Sequence, residues 1–247
     1  MPVLPIRHDS WTTRVAVACA LLVTAAAPAL AGKVTGELEL SAPAGKPPLR
    51  GKAYLDRIEN PYKAPRDVDP FPYMIVVLEG DAAKMPEPPP QEAWDLVGDR
   101  FDRPLIAVVP GSEVLIRNKG RGTPTLMIDG HADLLPHSPL NPRGERGFKA
   151  GAAGTLYELR DEDTPHITGG VVVVATPYHA IAMASAKDAR KGSFSLSDVP
   201  DGTWTLRIWY RTGWLDGVEQ TVEVKGSKTT SVSTIKIPAG LPTAASK

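Results

Sequence analysis

The sequence predicts an all-β chain built of Greek-key β-sandwiches, and three observations carry that expectation. Short β-branched and apolar runs recur between Gly, Pro and Asp clusters. The 247 residues hold 25 prolines and 22 glycines, which favours many turns over long helices. No amphipathic window of helical period reaches a convincing length. With 28 basic against 28 acidic residues, 42% hydrophobic and 23% charged, the chain is neither a disordered polyelectrolyte nor a protein held on nucleic acid by bulk charge.

Residues 1–31 read as a secretory signal: Arg7 and Arg14 precede an apolar run at 15–27, and Ala29-Leu30-Ala31 offers a small-residue cleavage site. The run is too short for a permanent span, and nothing later supplies the ~18 consecutive apolar residues that a transmembrane helix needs. Cys19, the one cysteine, leaves with the signal. The mature chain then has no disulfide, thiolate metal ligand or cysteine nucleophile.

Strands are expected at 33–40, 73–78, 105–109, 113–117 and 171–174. Met74-Ile75-Val76-Val77-Leu78 and Val171-Val172-Val173-Val174 are apolar at successive positions, so both faces of those strands should be covered. Gly192-Ser193-Phe194-Ser195-Leu196 and Thr221-Val222-Glu223-Val224 alternate, with one face in the core and one in water. Pro110-Gly111 and Pro200-Asp201-Gly202 mark turns. Residues 60–72 and the Pro-rich stretch 82–100 read as long surface loops, and 238–247 as a disordered tail.

The segment from Phe101 to Asn118 (Phe-Asp-Arg-Pro-Leu-Ile-Ala-Val-Val-Pro-Gly-Ser-Glu-Val-Leu-Ile-Arg-Asn) resembles the "F-x-P-x-x-x-V-x-x-G-S-x-V-x-F-x-N" stretch of cupredoxins, in particular plastocyanin-like and methylamine-utilisation-like exported bacterial proteins. Pro165-His166, the four valines and Thr176-Pro177-Tyr178 resemble the later "I-H … V-x-V-x-x-T-P-Y" of that group. The resemblance implies a cupredoxin-like domain at 101–178. Copper in such domains is held by two His, one Cys and a weak axial Met. Here the stretch after Asn118 has no imidazole, and Arg160-Asp161-Glu162-Asp163 stands where the Cys is wanted. The axial Met is missing too, and only His166 sits at a ligand position. A type 1 copper site is therefore excluded unless a thiolate arrives from another chain.

The flanks, 32–81 and 179–237, resemble the carboxypeptidase regulatory-like or transthyretin-like sandwich through Gly192-Ser193-Phe194 to Trp204, similar to its "G-x-F-x-L … V-P-x-G-x-W/Y" hairpin. That implies a discontinuous regulatory-like sandwich interrupted by the cupredoxin-like segment; the alternative is two consecutive sandwiches. Neither resemblance implies peptidase activity.

His131, His137 and His166 are the metal candidates, since imidazole suits copper and zinc, although their spacing matches no compact metal motif. On the strand 203–211, period two puts Trp204, Leu206, Ile208 and Tyr210 on one face. Arg207, Trp209 and Arg211 share the other, and with Trp214 they form a candidate platform for a sugar or a protein partner; the alternative is that a loop or the other domain covers Trp209. Asp161-Glu162-Asp163 need not converge, because consecutive side chains on an extended segment point oppositely. No nucleophile elbow or phosphate-binding glycine loop is present. The expected function is an exported, periplasmic or secreted, non-enzymatic binding or accessory protein whose partner is an envelope protein or small ligand. The alternatives are a copper or zinc handling protein and a carbohydrate or cell-envelope binding module. No obligatory cofactor and no nucleic-acid partner are expected.

Overall fold

The computed structural model describes residues 31–41, 69–238 and 241. The expected signal with Cys19, residues 60–68 of the first expected loop and most of the expected tail lie outside the described residues. In chain order the strands begin with β1 (Gly32–Leu40), β2 (Met74–Glu79), β3 (Gln91–Val97), β4 (Arg100–Phe101), β5 (Leu105–Val108) and β6 (Glu113–Asn118). Next come β7 (Leu126–Ile128), β8 (Glu145–Lys149), β9 (Leu156–Asp161), β10 (Thr168–Val173), β11 (His179–Ile181) and β12 (Met183–Ala184). The last are β13 (Lys191–Val199), β14 (Gly202–Tyr210), β15 (Gly213–Trp214), β16 (Gln220–Val224), β17 (Thr229–Ser231) and β18 (Ile235–Ile237). The described chain is all-β apart from a 3-10 turn at Phe71–Tyr73, and none of it forms a helix long and apolar enough to cross a membrane.

These strands form four sheets and two sandwich cores. In the first sandwich, the outer sheet runs β12-β13-β1-β17 with β18 also on β1, and the inner sheet runs β11-β2-β14-β15 with β16 on β14. Its core joins Val34, Leu38, Phe194 and Leu196 from the outer sheet to Met74, Val76, Leu78, Trp204, Leu206 and Ile208 from the inner one. The second sandwich has an inner sheet β5-β10-β9-β7 and an outer sheet β4-β3-β6-β8. Trp94, Leu96, Val114 and Ile116 meet Ile106, Val108, Leu159, Val171 and Val173 in its core. The second sandwich is thus an insertion between β2 and β11 of the first.

The apolar runs of successive residues are explained by how the sandwiches meet. Met74, Val76 and Leu78 point into the first core, while Ile75 and Val77 pack with Trp209 against Leu105, Ala107, Val172 and Val174 of the second inner sheet. Ile106, Val108, Val171 and Val173 fill the second core from the other side of those strands. Period-two alternation therefore feeds two different cores, and each inner sheet is covered on both faces.

One expectation is corrected. The stretch 82–100 is not a loop throughout, because residues 91–97 form β3, which pairs in parallel with β6 over six residues from Gln91↔Glu113 to Leu96↔Asn118. Its inward residues Trp94 and Leu96 are fully buried, whereas Glu92 and Asp95 are held by Arg103 and Arg117. Asp95 between Trp94 and Leu96, and the polar pair Gln91-Glu92 following a run of prolines, conceal a half-buried strand.

Candidate functional site

The turns at one end of the second sandwich carry most of its polar chemistry. β3 and β6 run in parallel, so the Gly98-Asp99 turn and the segment after Asn118 emerge together. Asp161, at the end of β9, pairs with Leu126 at the start of β7, which brings 162–167 to the same end. Asn118 is 1% exposed and its side chain ties this end together. Its amide donates to the Gly122 and Leu140 carbonyls, both at 2.8 Å, and its Oδ1 accepts from the Gly120 N–H at 2.9 Å. Buried Asp161 accepts from the Thr125 N–H at 2.6 Å. Arg146 on β8 donates to the Ser138 carbonyl at 2.6 Å and hydroxyl at 3.0 Å, and also reaches the Pro136 and Pro139 carbonyls. Arg146 is thereby the clamp on a proline-rich loop.

Two expected site residues lie at this end and a third does not. His137 Nε2 is 2.9 Å from Glu162 Oε2, and His166 Nε2 is 3.4 Å from Asp99 Oδ2. Both imidazoles are about two-thirds exposed, and pairs this open contribute little stability. His131 lies edge-on to Tyr157, with ring centroids 5.1 Å apart. Tyr157 and Glu162 are five residues apart on β9 and its extension, roughly 16 Å at the ~3.3 Å rise of a strand. Among the described residues no three His, Cys, Asp or Glu side chains group to hold a metal. The acidic triplet does not converge either: Asp161 turns inward, while Glu162 and Asp163 are exposed.

The aromatic platform is corrected in the first sandwich. Trp209 lies on the face of β14 opposite the first core, as period two requires, but it is 5% exposed because the second inner sheet covers it. Its indole N–H donates to the Arg211 carbonyl at 2.8 Å. Trp214 meets Trp209 edge-on at 5.2 Å and remains half-buried. The Arg207 guanidinium lies 4.2 Å over the Trp214 ring and also binds Glu79 at 3.3 Å and Glu219 at 3.0 Å. Arg211 belongs to a different group: its guanidinium stacks 4.3 Å over Tyr73 and donates to the Tyr210 hydroxyl at 3.1 Å. The four residues are structural partners of the seam and of the β14–β15 turn, with one face of Trp214 closed by Arg207. Period two alone places Trp209 on the outer face of β14, and the residues that cover it, Leu105, Ala107, Val172 and Val174, come from two separate strands of the other sandwich.

No family model matches the chain, and no curated protein does. Among solved structures, it is similar to amicyanin from Paracoccus versutus (Thiobacillus versutus) at 13% identity, over 40% of this chain and 96% of that one, with a TM-score of 0.31. A reduced tryptophan-to-tyrosine variant of amicyanin matches at 15% identity over 40% and 97%, with a TM-score of 0.30. An oxidised methionine-to-lysine variant matches at 16% over the same shares, with a TM-score of 0.28. Likeness of this order carries no argument about chemistry.

Proposed function

We propose that this chain is an exported, non-enzymatic binding or accessory protein that uses a cupredoxin-like scaffold without a type 1 copper site. The observation that supports the reading best is the internal locking of the loop end. Asn118, Asp161 and Arg146 spend their hydrogen-bonding capacity on neighbouring backbone groups, which fixes the turns in advance of any contact. A surface pre-ordered in this way meets a partner at a smaller entropic cost. The described residues hold no cysteine, so none of them supplies the soft thiolate that trigonal copper requires. The flanking strands are read as a regulatory-like accessory sandwich, and export follows from the expected signal at 1–31.

A second reading, copper or zinc handling without redox cycling, is favoured by the two His–carboxylate pairs anchored on 162–167. One experiment separates the two. The chain is purified without a histidine tag and dialysed against Cu(II) and Zn(II), and bound metal is quantified beside a His166→Ala variant. The binding-protein reading expects no stoichiometric metal in either protein. One equivalent held in the unaltered chain and lost in the variant overturns it in favour of metal handling.

A further inference from the structure

The outer sheet of the second sandwich ends at its loop end on a row of like charges. One row further in, Asp95 on β3, Arg117 on β6 and Glu145 on β8 lie opposite one another with alternating signs, and Arg117 Nε is 2.5 Å from Asp95 Oδ1. Two residues nearer the loop end, Val97 pairs with Arg100 of β4, the Lys119 N–H donates to the Leu96 carbonyl at 2.8 Å, and the Arg143 N–H donates to the Asn118 carbonyl at 2.9 Å. Val97 therefore stands between Arg100 and Lys119, with Arg143 beside Lys119. These three cations are exposed, as is Arg121 in the turn that follows, and Val97 is 50% exposed. Among the described residues none of the four forms an ion pair. The carboxylates closest to them in the fold are turned elsewhere: Asp99 to His166, Asp102 to Arg103, and Glu162 to His137.

Like charges on neighbouring strands oppose pairing, so this row works against the sheet that carries it. The backbone beneath it is nevertheless fixed. Asn118 ties the turn 119–122 from within, and a Cβ added at Gly120 would lie 2.9 Å from the Gly98 carbonyl, so that turn rests on the one joining β3 to β4. At ~4.8 Å between strands, the positions from β4 to β8 extend along about 14 Å, the length of roughly four residues of extended chain. We infer that this row is the docking surface for an acidic, extended segment of a protein partner, with Val97 receiving an apolar side chain between its carboxylates. The inference rests on the binding-protein reading and gives that partner its chemistry. Carboxylates laid along the row relieve its self-repulsion and steer the encounter. A uniformly anionic polymer would set charge against Val97, whereas a peptide can offer an apolar side chain there.

The test uses the full chain in EDTA, so that bound metal, the result that overturns the broader reading, neither makes nor removes a signal. The probe is a fluorescein-labelled octapeptide of glutamates with two central leucines, followed by anisotropy beside the same peptide with glutamine for glutamate. The acidic peptide is expected to bind at about 20 mM NaCl and to weaken at least tenfold by about 300 mM, as screening shortens the reach of the charges. The glutamine peptide is expected not to bind. Lys119→Glu combined with Arg143→Asn, a residue suited to the φ of 65° at position 143, should weaken binding at least tenfold. Its urea midpoint at low salt should not fall, since repulsion is relieved, which separates lost binding from lost fold. Should that variant not fold, Arg100→Glu replaces it. Val97→Ser should weaken binding about threefold and leave the salt dependence unchanged. The inference is overturned by absence of binding at low salt, by undiminished binding in the charge variant, or by tighter binding to heparin or phosphatidylglycerol vesicles than to the peptide. Each of those results leaves the broader reading to the metal measurement.

Discussion

Trp209 is covered by the neighbouring sandwich while Trp214 is half open, so truncating each reports a different environment. Trp209→Ala removes a large side chain from the seam and should destabilise the protein by about 3–5 kcal/mol in urea denaturation. Trp214→Ala, at a position partly in water, should cost about 1 kcal/mol. A result near zero for Trp209 would restore it as a free recognition platform. Asn118 makes the corresponding polar case. Its replacement by Ala strands the Leu140 carbonyl and frees the Gly120 N–H in a largely dry place, a loss of about 2–3 kcal/mol. Asn118 was visible in sequence as part of a motif, but its partners 122 and 140 were not, because nothing local specifies which loop folds over a strand end.

At the scale of elements, alternation was informative wherever one face met water, and runs of successive apolar residues were informative where neither did. Residues 74–78 and 171–174 announced double burial before any sheet was known, though what covered the second face depended on the fold of the whole chain. β3 shows the limit: buried Trp94 and Leu96 flank Asp95, but Glu92 falls on their own face, and four nearby prolines mask the pattern further until Arg103 and Arg117 are seen to hold those carboxylates. The packing of β3 gives a sharp test on β10. A Cβ added at Gly169 would lie 2.5 Å from the Trp94 ring and 2.8 Å from Phe101, whose rings are themselves stacked at 3.9 Å. Gly169→Ala should therefore lower stability by about 1–3 kcal/mol through overpacking, measured as a shift in urea midpoint at constant slope. A neutral result would show that Trp94 has room to move.

At the scale of the molecule, the two cores are joined by a third. Ile75, Val77 and Trp209 on one side and Leu105, Ala107, Val172 and Val174 on the other form a seam without a buried charge, and both inner sheets lose a solvent face if it opens. Domain interfaces within one chain are commonly polar and permit relative motion. This seam resembles a core, so the two sandwiches should unfold together. Calorimetry of the unaltered chain is expected to show one transition whose measured and van't Hoff enthalpies agree. Val172→Asp places a carboxylate in the seam and leaves the inward residues Val171 and Val173 in the second core. Burying that charge without a partner is unfavourable enough to open the seam before either sandwich melts. The variant should then show two transitions, with the indole of Trp209 becoming solvent-exposed in a fluorescence titration ahead of the second. Two transitions in the unaltered chain would mean that the sandwiches are independent bodies. One transition in the variant would mean that cooperativity comes through the connectors at 80–90 and 174–178 rather than through the apolar seam.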